Sequence, residues 1–150
     1  MKQFTLYLKD DERRPIVLLK NFFDLEAMLD TGSMFPVWVA SEERLKSIGG
    51  ILEGTNKPFG GFGGMTMGNL YRIPTFQLGD LIFPDFHILA HSHRLPCQML
   101  LSATMFSRMM YEVDDQNHRL NVTVPDTESL VRNLRIEDQN GRLHIFCTSA

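Results

Sequence analysis

Asp30, Thr31 and Gly32 are the residues of this chain best placed to do chemistry. An apolar, alternating stretch from Phe23 to Leu29 runs straight into the acid, the hydroxyl and the glycine. A carboxylate at the end of such a strand is costly to bury without a partner. Strand propensity falls at Asp and Gly, so the chain is expected to turn there. The outcome is a carboxylate held on a tight turn with a hydrophobic wall behind it. Two such turns facing each other would be a catalyst. Close carboxylates cannot both ionise, so one acts as base while the other, protonated, acts as acid.

The elements that must position Asp30 are β-strands. Residues 3–8 alternate, with Phe4, Leu6 and Leu8 on one side. A charged turn over 10–14 and Pro15 lead into the apolar run 16–19, and Asn21 marks another turn. After Ser33, the stretch 35–39 is apolar and β-rich. Ser41 to Gly49 reads as a short outer helix, with a Ser cap, two acids in its first turn and a Gly stop. Residues 57–68 then hold five of the eleven glycines. Their spacing is neither a dinucleotide fingerprint nor a P-loop. The pattern predicts a hairpin with a glycine-rich tip, since glycine lets backbone approach a ligand closely.

Leu29-Asp30-Thr31-Gly32-Ser33 resembles the hydrophobic-Asp-Thr-Gly-Ser/Ala signature of aspartic proteases. One copy in the chain points to the retropepsin-like, single-domain homodimeric branch, and a bacterial source is expected on the resemblance alone. The resemblance implies an all-β fold: a closed acid-protease-type barrel, a flap hairpin, and one or two short helices. It spans about residues 4–124, with a C-terminal hairpin over 125–150, all in one domain. It implies that Asp30 from each of two chains activates a water for peptide hydrolysis, with Thr31, Gly32 and Ser33 forming the active-site turn. Gly60, Gly61, Phe62, Gly63, Gly64 and Met65 take the place of the flap that closes over substrate. By position, Leu29, Phe35 and Leu101 are candidate subsite walls. Leu100-Leu101-Ser102 occupies the place of an apolar-apolar-Gly element that packs behind the catalytic turn, so Ser102 stands where glycine is usual. The expected partners are a second copy of the chain and a peptide or protein substrate, with no cofactor. The alternative is an inactive dimeric peptide-binding or scaffolding module of the same fold.

Composition bounds the other classes. The chain has 150 residues, 43% hydrophobic and 22% charged, as expected of a globular domain with a proper core. A net charge of −3 suggests neither nucleic acid nor an anionic membrane as partner. No signal-peptide pattern or membrane-spanning run is read, so the expected location is cytoplasmic. Cys97 and Cys147 make no disulfide framework and read as reduced, partly buried thiols. His87, His91, His93 and Cys97 carry metal-ligating groups, but their gaps match no standard zinc spacing, and loop histidines are expected instead. Strands are expected over 76–88 around a Gly79-Asp80 turn, then over 109–114 and 119–124. A final hairpin is expected around Asn140-Gly141.

Overall fold

The computed structural model describes residues 1–10, 13–61 and 64–150. In chain order, β1 is Lys2–Tyr7, β2 Ile16–Leu19, β3 Leu25–Asp30 and β4 Val37–Trp38. Helix α1, Glu42–Ser47, follows; then come β5 (Ile51–Gly61), β6 (Gly64–Leu78), β7 (Leu81–Ala90) and β8 (Met99–Ser102). A 3₁₀ turn, Ala103–Phe106, leads to β9 (Met110–Asp114), β10 (Arg119–Val124), β11 (Arg132–Gln139) and β12 (Arg142–Ser149). No helix among the described residues is long and apolar enough to cross a membrane.

Three sheets form, and none closes into a barrel among the described residues. The largest has the order β2-β3-β8-β4-β7-β6-β5, the second β1-β10-β9, and the third is the hairpin β11-β12. They join at isolated bridges, Leu8 with Val17 and Ile82 with Val131. The expected closed barrel is therefore replaced by open sheets that pack on one another. Alternation in a sequence identifies a strand without choosing its partners.

Aromatic side chains fill the core face of the largest sheet. Phe76 stacks on Phe86 at 4.5 Å, and Phe83 meets Phe86 edge-on at 5.4 Å. Trp38 and Tyr71 are fully buried. The β4 strand is only two residues long because Pro36 brings no N–H to a ladder. The strand leading to Asp30 also starts later than the pattern suggests. Phe23 and Asp24 have φ of 57° and 51°, so the chain turns there and β3 begins at Leu25. Phe22 is buried beneath that turn, with its ring 4.9 Å from Phe76, while Phe23 is left exposed.

Helix α1 follows its sequence signals. Ser41 Oγ accepts from the Arg44 N–H at 3.2 Å, Leu45 is fully buried, and Gly49 leaves the helix with φ of 103°. The last hairpin turns at Asn140 (φ 56°) and Gly141 (φ 84°), the left-handed pair that fits the twist of two-residue hairpins. Its Leu134 and Ile136 belong to the same buried cluster as the larger sheet. The Ile136 N–H donates to His87 Nδ1 at 2.8 Å, and Lys57 pairs with Asp138 at 3.0 Å.

Candidate active site

Strand β3 has the burial alternation of a strand with one face in the core: Leu25, Ala27 and Leu29 are buried, while Glu26, Met28 and Asp30 are half-buried. It runs parallel to β8, with Met28 opposite Leu100, Leu29 opposite Leu101 and Asp30 opposite Ser102. Residues directly opposite each other share a face. Leu29 and Leu101 therefore face away from Asp30, into the core. Met28 and Leu100 share its face; period-two counting back from Asp30 is the sequence signal for Met28, and Leu100 joins it through the β3–β8 register.

The turn after β3 is closed locally. Ser33 N–H donates to the Asp30 carbonyl at 3.1 Å, and Gly32 N–H donates to Asp30 Oδ1 at 3.1 Å. These bonds hold one carboxylate oxygen, Oδ1, on the turn. Ser33 Oγ donates to the Phe35 carbonyl at 2.6 Å, and Thr104 Oγ1, from the 3₁₀ turn behind, donates to the Met34 carbonyl at 2.8 Å. Thr31, Gly32 and Met34 are exposed, Met34 at 63%. A Cβ built on Gly32 would meet only Asp30 Oδ1, at 3.4 Å. This chain's own packing thus leaves the outward side of the turn open to an approaching backbone.

Phe35 is buried and links this turn to the β5–β6 hairpin, its ring edge-on to Phe59 of β5 at 6.1 Å. The hairpin pairs Phe59 with Thr66, Gly60 with Met65 and Gly61 with Gly64. Phe62 and Gly63, at its expected tip, lie outside the described residues. A Cβ on Gly60 or Gly64 would meet nothing within 4 Å, whereas Met65 is 74% exposed. Gly68 is different. A Cβ there would lie 2.8 Å from the Phe59 ring and 3.1 Å from the Ala90 carbonyl. The ring is buried and the carbonyl is backbone, so neither yields cheaply. Gly68→Ala is expected to lower stability by about 1–3 kcal/mol, measured as a lower urea midpoint with unchanged slope.

The base of the hairpin is tied to α1. Glu42 accepts from the Tyr71 hydroxyl and from Asn69 Nδ2 at 3.0 and 3.1 Å, while Asn69 Oδ1 accepts from the Asn56 N–H at 3.1 Å. Asn56 has φ of 54° and sits where the β5–β6 register shifts, so Asn69 holds the bulge. The Tyr71 and Asn69 donors hold the Glu42 carboxyl below its ordinary 4.5. Burial, and then the adjacent Glu42 carboxylate, push Tyr71 up to about 12. A lowered carboxyl contributes stability that is present above its unfolded value and lost as pH falls through the folded one. Wild type should therefore lose this contribution below about pH 4.5. Glu42→Gln should be about 1 kcal/mol less stable at neutral pH, with a flatter acid limb in urea titrations across pH.

The histidines are dispersed. His87 lies on β7, with Nε2 2.9 Å from Glu53 Oε1 and Nδ1 accepting from Ile136. His91 follows the end of β7, with its Nδ1 3.1 Å from the Met67 carbonyl and its ring edge-on to Phe59. His93 stacks on His91 at 6.3 Å, and Cys97 is buried. Among the described residues, no group of three or more His, Cys, Asp or Glu side chains is arranged to hold a metal ion.

No protein-family model matches the chain, and no curated protein matches it in sequence. Among solved structures, it is similar to the crystal structure of a retropepsin-like aspartic protease from Rickettsia conorii. That likeness covers 81% of this chain and 89% of the other, with 12% identity and a TM-score of 0.51. At that identity it is a likeness of fold: the largely β architecture that carries Asp30 is similar to that of a retropepsin-like aspartic protease.

Proposed function

We propose that this chain is an aspartic endopeptidase that acts as a homodimer. The observation that carries the proposal is the half-buried Asp30 at the end of β3, on an exposed Asp-Thr-Gly turn backed by the parallel strand β8. The fold likeness adds to it. The sequence holds one such turn, so the second carboxylate comes from a second copy. One Asp30 takes a proton from a water as that water attacks the scissile carbonyl. The other, protonated, donates to the carbonyl oxygen. Thr31 and Gly32 would form the contact between the two turns. Exposed Met34 would be covered by the partner.

The β5–β6 hairpin would serve as the flap, with the segment from Gly60 to Met65 over the peptide. Met28 and Leu100, which share Asp30's face, replace Leu29 and Leu101 as subsite walls, while Phe35 fixes the hairpin stem to the turn. The walls are apolar, which favours apolar side chains flanking the cut bond. The test is cleavage of a mixed peptide library from acid to neutral pH, at protein concentrations spanning dimer dissociation. Activity rising faster than linearly with concentration is expected. Peptide binding by a folded dimer that cuts nothing at any pH would instead identify an inactive binding module.

A further inference from the structure

Ser102 is fully buried, and its Oγ has no hydrogen-bond partner in the single chain. Buried hydroxyls nearly always find one, so an orphan at a candidate site calls for an explanation. Ser102 has extended backbone, φ −87° and ψ 154°, which any residue adopts, so nothing in the main chain requires glycine here. Its register partner across the parallel ladder is Asp30. Neighbouring strands lie about 4.8 Å apart, a gap that a serine hydroxyl and an aspartate carboxylate on one face span with a hydrogen bond. On the carboxylate, Oδ1 already accepts from Gly32, and Oδ2 has no hydrogen-bond partner among the described residues.

We propose that Ser102 is a positioning residue for Asp30, its buried hydroxyl donating to the free carboxylate oxygen in the assembled site. The proposal rests on the reading of Asp30 as the catalytic acid and deepens it. The hydroxyl orients the carboxylate and favours its charged form. The flanking strands β2 and β8 carry no titratable side chain. On β3 itself, Glu26 shares Asp30's face but sits four residues back, paired with Lys9 at 3.1 Å. Arg14, just before β2, is carried opposite Asp30 by the β2–β3 register, with Ile16 opposite Met28 and the Leu29 N–H on the Pro15 carbonyl, and the second copy supplies its own carboxylate.

The test uses the intact chain with Ser102→Ala, Ser102→Gly and Ser102→Thr. Two quantities are read: the pH profile of kcat/KM, and the titration of the Asp30 carboxyl carbon by NMR. The acid limb and the lower titration midpoint should both move up by about one pH unit in the Ala and Gly variants. The Thr variant, which keeps the hydroxyl, should return to the wild-type position. Folded Ala and Gly variants that titrate like wild type overturn the inference, whether or not the protein cuts peptides. A wild-type dimer that cuts nothing overturns the endopeptidase reading separately, because the carboxyl titration is still measured.

Discussion

Asp30→Asn should abolish peptide cleavage, by about ten-thousand-fold or more, while leaving the fold intact. An amide can neither take the proton from the attacking water nor hand one to the carbonyl oxygen. Because a homodimer carries the change in both halves of the site, base and acid vanish together. The fold should survive because the bond that Asp30 Oδ1 accepts from Gly32 N–H is equally available to an amide oxygen. The turn is also closed independently by Ser33 N–H on the Asp30 carbonyl. Matching circular dichroism and urea midpoints for both proteins, with kinetics on a peptide that wild type cuts, provide the check. Cleavage surviving within tenfold would place the chemistry elsewhere.

The second large effect is on stability, and it comes from a cation in the core. Arg132 is fully buried at the start of β11. Its Nη2 donates to the Ser107 carbonyl at 2.8 Å and to Ser107 Oγ at 3.0 Å; Nη1 reaches Ser149 Oγ at 3.4 Å and Glu128 Oε1 at 3.6 Å. Ser107 directly follows the 3₁₀ turn behind the Asp30 strand, so this arginine fastens the C-terminal hairpin to the back of the site. Arg132→Ala would leave Glu128, itself 9% exposed, without its counter-charge. Breaking a buried pair from one side costs about 3–5 kcal/mol, and for a chain of this size that lowers Tm by roughly 10 °C. Arg132→Met combined with Glu128→Gln removes both charges and should cost far less. Equal losses for the two variants would mean that packing, not charge, is what Arg132 provides.

Some of this was legible in the residues. The Asp30 turn is written as an alternating strand that ends in Asp-Thr-Gly. Helix α1 is written in its cap and its glycine stop, and the final turn in Asn140-Gly141. Each of these signals is local, which is why it can be read. Counting by two from Asp30 reaches Met28 locally, whereas Leu100 joins that face only through the long-range pairing of β3 with β8.

Other features depend on residues far apart in sequence. The left-handed Phe23 is set by the burial of Phe22 against Phe76. His87 resembles a ligand until Ile136, 49 residues on, supplies its hydrogen bond. Arginines are almost never fully buried without partners, and those of Arg132 come from three separate segments. The failure of the barrel to close has the same origin, since alternation names strands and not their neighbours.

The most direct test of a shared site is to mix the two proteins. Wild type and Asp30→Asn are combined at fixed total concentration, allowed to exchange subunits, and assayed for cleavage across the mixing range. If each site needs an Asp30 from both chains, activity follows the square of the wild-type fraction, and an equal mixture retains about one quarter. Activity that falls in direct proportion, to about one half in that mixture, would show that each chain works alone and would contradict the homodimeric site.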